Sequence, residues 1–143
     1  MPELSQETAQ FGGLAVVALY VGLNLLVLMV LGLMTSLTRQ KTQTDLGHGE
    51  SESMLRASRT HANAAEWIPT FLIGLAFAAF LGVPALWIHI LGSVFTIARI
   101  LHGIGLSGSS GRSFGRFVGA LLTLICYLVL GLGLLVHSVP NLI

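Results

Sequence analysis

The stretch that decides the fold is residues 54–69, with the sequence MLRASRTHANAAEWIP. It carries Arg56, Arg59, Asn63 and Glu66 at helical spacing. At about 100° per residue, these four side chains fall within an arc of about 80° on one helix. A polar face this narrow on an otherwise apolar helix must point away from lipid. We therefore expect this helix to turn its charges into a membrane bundle.

The composition excludes an ordinary soluble domain. The chain has 143 residues, of which 54% are hydrophobic and 9% are charged, whereas soluble domains carry about 25% charged residues. The net charge of +1 speaks against a nucleic-acid-binding protein, and the apolar content excludes a disordered chain. A single cysteine, Cys126, excludes a disulfide framework and an all-cysteine metal site. The composition predicts an integral membrane protein of one domain, residues 1–143.

Three long runs without Asp, Glu, Lys or Arg indicate the membrane spans: 8–38, 67–98 and 117–143. A span needs about 20 apolar residues, so the first and third runs each hold one helix. The middle run is broken at Gly82 and Pro84, a helix stop followed by a helix start. Its two helices must extend into charged sequence to cross. The prediction is an all-α, four-transmembrane-helix bundle, with helices at roughly 11–37, 54–82, 84–105 and 112–137.

The distribution of basic residues predicts the topology. All seven Lys and Arg lie in the two loops on one side, or on helix ends that face that side. The positive-inside rule makes this side cytoplasmic, including a loop at 39–53, and both termini non-cytoplasmic. His48 in that loop lies near acidic residues at a spacing that fits no metal-ligand motif. We expect a solvated turn there and no metal site.

The third predicted helix adds polar residues at the depth of Glu66. With a rise of about 1.5 Å per residue from the Gly82 turn, Glu66 lies about 24 Å along its helix and Arg99 about 22 Å along the next. Asn63 and His102 form the following layer. Two more arginines, one helical turn apart, are expected to open the fourth helix from the same side.

Eight side chains are thus predicted to meet near one membrane interface: Arg56, Arg59, Asn63, Glu66, Arg99, His102, Arg112 and Arg116. Five arginines against one glutamate favour an anion with more than one carboxylate or phosphate, because a guanidinium binds such groups bidentately. Other interpretations remain open for single members. Glu66 and Arg99 are candidates for a buried ion pair between helices, Arg112 for a snorkelling anchor, and Asn63 for an interhelical hydrogen bond.

Small and isolated polar residues elsewhere indicate helix packing. Gly115 and Gly119 form a small-residue ladder on the fourth helix, which favours close helix contact within or between subunits. Asn24, in the middle of the first span, is expected to face protein rather than lipid. His61 points away from the arginine face and is interpreted as a helix–helix contact.

The pattern resembles the MAPEG family (membrane-associated proteins in eicosanoid and glutathione metabolism), most closely its small bacterial members. The matching residues are Arg56-x-x-Arg59-x-His61-x-Asn63-x-x-Glu66-Trp67-x-Pro69, Gly47-His48-Gly49-Glu50, Arg99-x-x-His102 and the arginines near the start of the fourth helix. The resemblance implies a homotrimer in a bacterial inner membrane. It also implies that glutathione, as cosubstrate, binds between neighbouring subunits, in a site that opens to the cytoplasm.

The resemblance also implies roles for the clustered residues. Arg116 is similar in placement to the arginine that holds the glutathione thiolate in the enzymes of the family. The glutathione-binding set comprises Arg56, Arg59, Asn63, Glu66, Arg99, His102 and Arg112, with Glu66 as the partner of the α-amine. The implied function is a transferase or peroxidase acting on lipophilic electrophiles from the bilayer.

Three departures from the family pattern favour an alternative, a membrane protein that binds a ligand without turnover. Leu106 stands near a position where family enzymes often have tyrosine, and Phe117 where some members have a hydroxyl side chain. Trp67 replaces the more usual tyrosine.

Overall fold

The computed structural model of the protein describes residues 2–139, with side chains from residue 11 onward. This part of the chain forms four helices: α1 (Pro2–Thr42), α2 (Glu52–Phe80), α3 (Ala85–Gly108) and α4 (Phe114–Ser138). Each contains a segment long and apolar enough to cross a membrane. The predicted all-helical architecture with four spans is confirmed.

The helices pack so that α1 near Gly13 and the end of α4 lie beside the start of α3 and the α2–α3 turn. α1 packs on α2 and α3, and α4 packs on α3 and α2. A Cβ added at Gly13 of α1 would lie 3.3 Å from the Ile88 side chain, at the start of α3. Near the end of α4, Nε2 of His137 lies 2.9 Å from the carbonyl oxygen of Leu81. We call this the turn end, and we call the opposite end, with connections 43–51 and 109–113, the loop end.

The turn between α2 and α3 has the hydrogen bonds of a Schellman motif. The amide of Gly82 donates to the carbonyl of Ala79 at 3.0 Å, and the amide of Val83 donates to that of Ala78 at 3.0 Å. Gly82 has φ of +79°, a conformation that a side chain disfavours. Pro84 then precedes α3 as its N-cap. The predicted helix stop and start are confirmed.

All four helix boundaries at the loop end differ from the predicted ones, with α2 beginning at Glu52 and α3 ending at Gly108. α1 continues past residue 37 to Thr42, with Thr38 and Thr42 hydroxyls donating to carbonyls one turn earlier at 2.8 and 2.9 Å. α4 begins at Phe114 because the Ser113 hydroxyl caps it, accepting from the amide of Arg116 at 3.3 Å. Arg112 therefore lies in the connection. The expectation that it shares the first turn of α4 with Arg116 is wrong.

α3 and α4 approach each other closely at the loop end. A Cβ at Gly119 would lie 2.6 Å from the carbonyl oxygen of Ala98 and 2.6 Å from the amide of His102. A Cβ at Gly115 would lie 2.9 Å from the carbonyl oxygen of Leu101. The small-residue ladder of α4 thus joins two helices within one subunit.

The two predicted packing residues are confirmed. Asn24 is fully buried, and its amide donates to the carbonyl of Tyr20 and to the hydroxyl of Thr96, each at 2.9 Å. His61 of α2 lies against α1, where a Cβ at Gly32 would be 3.5 Å from its Nε2.

Candidate functional site

A cavity of about 280 Å³ opens at the loop end between α2, α3 and α4. Five of the eight predicted site residues line it: Arg56, Arg59, Asn63, His102 and Arg116. Leu55, Leu106 and Ser110 complete the lining. The convergence that the helical spacing predicts therefore holds for most of the cluster.

α2 supplies three polar side chains whose hydrogen-bonding capacity is incompletely used. Nε of Arg56 and Oδ1 of Asn63 are buried and have no hydrogen-bond partner among the described residues. Leaving such a buried group unpaired costs about 1–3 kcal/mol. Arg59 lines the cavity with an exposed side chain. This wall of the cavity is suited to a ligand that brings hydrogen-bond donors and acceptors of its own.

The opposite wall is built where α3 meets the start of α4. Ser113 links the two helices, because its hydroxyl donates to the carbonyl of Gly105 at 3.0 Å and accepts from the amide of Arg116. His102 is 8% exposed, and its Nδ1 lies 3.2 Å from the carbonyl oxygen of Arg116. These contacts fix the first turn of α4 and, with it, the position of Arg116.

The carboxylate of Glu52 lies at the rim of the cavity. Its Oε1 lies 3.4 Å from Nη1 of Arg56 and accepts a hydrogen bond from the Ser110 hydroxyl. Arg112 lies beyond the rim, in an adjoining depression of about 1050 Å³ that shares His102, Ser110 and Arg116 with the cavity. Arginine side chains outnumber carboxylates here, as the sequence predicts.

Arg99 does not line this cavity. It is 3% exposed, borders an apolar groove between α1 and α3, and its Nε has no hydrogen-bond partner among the described residues. It lies one turn before His102 on α3, so its positive charge is near the cavity without lining it.

Glu66 lies outside the cavity as well. Its side chain is exposed, and within residues 11–139 it makes no ion pair. The buried Glu66–Arg99 pair, left open by the sequence, is not formed. Counting residues from the turn places both groups at one depth, but Arg99 turns into the bundle while Glu66 turns outward.

Ser110 and Ser113 are site residues that the sequence reasoning missed. A signal for Ser113 was present, since serine is a preferred N-cap residue ahead of an apolar helix. Ser110 lies in the connection 109–113, and no local pattern marks it. The His48 loop is exposed, and no group of three metal-ligating side chains occurs in the described part of the chain.

The fold and cavity define a small helical membrane protein with a cationic pocket at one end of its bundle. The MAPEG family model matches residues 17–136, and the chain belongs to this family. The chain is similar to inner membrane protein YecN of Escherichia coli strain K12, with 31% identity over 88 residues, 62% of this chain and 67% of YecN. YecN of Escherichia coli O6:H1 matches with the same identity and coverage.

Proposed function

We propose that the protein binds glutathione in the loop-end cavity and uses it as a transferase or peroxidase acting on lipophilic electrophiles. The observation that carries the proposal is the convergence of Arg56, Arg59 and Arg116 on one cavity that Asn63, whose buried Oδ1 has no partner among the described residues, also lines. Glutathione offers two carboxylates for arginines, amide N–H groups for Asn63 and a thiol. Membership of the MAPEG family supports this ligand.

Charge-assisted pairs hold the ends of the ligand. Arg59 is exposed within the cavity and receives one carboxylate, whereas Arg56 must exchange Glu52 for the ligand. Glu66 receives the α-amine from the outward face of α2. Arg99 and Arg112 contribute positive charge from the bundle interior and from the adjoining depression.

The proposed assembly is a homotrimer, with each cavity completed by a neighbouring subunit. Glu66 supports this, because an exposed carboxylate on a membrane-spanning helix is costly against lipid and needs a polar partner. Mass analysis in mild detergent tests the assembly, and a monomer or dimer would contradict it.

The proposed location is a bacterial inner membrane with the loop end in the cytoplasm. All seven Lys and Arg support this orientation, since they lie in the loops of that end or on helix segments toward it. Reporter fusions at the C-terminus test it. Activity of a reporter that works only in the cytoplasm would contradict it.

The proposed chemistry is activation of the glutathione thiol. A free thiol has a pKa near 8.5 and is mostly protonated at neutral pH. Arg116 lines the cavity and favours the thiolate by charge, and each pKa unit of lowering corresponds to about 1.4 kcal/mol. The thiolate then attacks an electrophile, or reduces a hydroperoxide, arriving from the bilayer.

A second candidate function is glutathione binding without turnover. It is favoured by Leu106, which lines the cavity and offers no hydroxyl group to the sulfur or to the electrophile. The two functions share the binding site and differ only in thiolate formation.

Purified protein tests both candidates. Titration with glutathione in a calorimeter measures binding, and conjugation to a generic aryl halide measures turnover. Binding together with conjugation supports the transferase, and binding without conjugation or thiolate absorbance supports the second candidate. Absence of binding would overturn the proposed function.

A further inference from the structure

The hydrogen bond of His102 fixes which ring nitrogen carries hydrogen. Nδ1 lies 3.2 Å from the carbonyl oxygen of Arg116, and a carbonyl oxygen only accepts. The hydrogen is therefore on Nδ1. In the neutral ring this leaves a lone pair on Nε2, so that Nε2 is a proton acceptor.

The ring of His102 is held at the border of the cavity. His102 lines both the cavity and the adjoining depression, and no hydrogen bond to Nε2 occurs among the described residues. Its backbone is fixed by the close approach of Gly119, whose added Cβ would lie 2.8 Å from Cβ of His102. The acceptor is thus positioned before any ligand arrives.

Positively charged side chains lie on the three helices around the ring. Arg56 and Arg59 line the same cavity from α2, Arg99 lies one turn away on α3, and Arg116 lies on α4. The carboxylate of Glu52 is at the rim. An anionic ligand offsets part of this positive charge, so that His102 can accept a proton once the ligand is bound.

We propose that His102 is the catalytic base that takes the thiol proton of the bound ligand. The proposal rests on the proposed function. The S–H proton moves to Nε2, giving a thiolate and an imidazolium next to each other. The thiolate then forms a sulfur–carbon bond with a strained cyclic ether, whose C–O bond breaks. The resulting alkoxide takes the proton back from Nε2, so that atoms and charge balance without a further reactant.

Counting protons tests this assignment in the wild-type protein. Glutathione is titrated near pH 7 in two buffers of different ionisation enthalpy, and thiolate absorbance is recorded in parallel. S-methylglutathione, which has no thiol, measures the protons that binding releases from groups other than the thiol. We expect thiolate absorbance with no extra proton released relative to S-methylglutathione. Release of about one proton per thiolate formed would overturn the base assignment.

The variant His102→Asn separates the base from the contact that positions Arg116. Its side-chain amide retains an N–H group near the place of Nδ1 and removes Nε2. We expect glutathione affinity within about threefold of wild type and thiolate absorbance near pH 7 at least tenfold lower. His61→Gln is the matched control, because His61 contacts α1 outside the cavity. Wild-type thiolate absorbance in His102→Asn, without extra proton release, would also overturn the assignment.

The outcomes distinguish the two proposals. A wild-type protein that binds no glutathione overturns the proposed function and the base together. Glutathione binding with proton release, or without any thiolate, overturns the base and leaves the binding site standing.

Discussion

The two ends of the bundle differ in whether their polar side chains have hydrogen-bond partners. At the turn end, the hydroxyl of Tyr20 lies 3.0 Å from Nδ1 of His89 and 2.6 Å from Oγ of Ser93, so that these groups satisfy one another. Nearer the loop end, Arg56 and Asn63 each bury a polar atom that has no partner among the described residues, and so do Arg99 and, in the middle of the bundle, Asn24. Only Arg56 and Asn63 of these four also line the loop-end cavity, and there the unpaired groups indicate a place for a ligand.

Packing shows the same contrast. Phe71 of α2 and Phe95 of α3 stack with ring centroids 3.7 Å apart, and both are almost fully buried. The loop end instead encloses an open cavity lined by arginines. We therefore expect substitutions at the loop end to change ligand binding and turnover. Substitutions in the half of the bundle nearer the turn end should instead change the free energy of unfolding.

The largest effect is expected for Arg116→Ala, which tests whether the loop-end cavity supports turnover. The negative charge that Arg116 is proposed to stabilise exists only after the thiol ionises, so glutathione affinity should change by no more than a few-fold. Turnover should fall by about 100-fold or more, the loss typical of removing one charge-stabilising group. Conjugation rates and thiolate absorbance measure it, and a wild-type rate would remove Arg116 from the reaction.

Arg59→Ala tests the binding side. A charge-assisted pair with a ligand carboxylate acts equally in ground and transition states, so the Kd for glutathione should rise by about 10- to 100-fold. Calorimetric titration measures it. Arg39→Ala is the control, because Arg39 donates to loop carbonyls of Thr44 and Gly47 away from the cavity. Equal effects of the two variants would contradict a specific contact.

Gly92→Ala tests the expected effect on stability in the half of the bundle nearer the turn end. An added Cβ would overlap the ring of Tyr20, whose hydroxyl is held by His89 and Ser93, so α1 and α3 must separate. Overpacking of this kind costs about 1–3 kcal/mol of the free energy of unfolding. Glutathione affinity should stay at the wild-type value. Gly131→Ala is the control, since nothing lies within 4 Å of its added Cβ.

The smallest effect on stability is expected for Glu66→Gln. Because Glu66 makes no ion pair among the described residues, the free energy of unfolding without glutathione should change by less than about 0.5 kcal/mol. The stabilisation that glutathione adds should nevertheless fall, since the proposed partner of the α-amine is lost. Thermal unfolding with and without glutathione measures both, and an unchanged ligand effect would remove Glu66 from the site.

Much of the architecture could be predicted from local patterns. The apolar runs predict four spans, and Gly82 with Pro84 predicts the turn, because backbone conformation there depends on few neighbours. The spacing of Arg56, Arg59 and Asn63 predicts one polar face, which lines the cavity as expected. Helical periodicity determines such a face whatever the helix packs against.

The tertiary structure alone decided how these faces are turned toward one another. Residue counting gives the depth of Glu66 and Arg99 but not the rotation of each helix about its axis. That rotation depends on contacts distant in sequence, such as Gly119 against the backbone of α3. It turns Glu66 outward, buries Arg99 and brings His102 to the cavity. The sequence by itself determined which residues share a helix face, and the packing of backbones decided which of those faces meet.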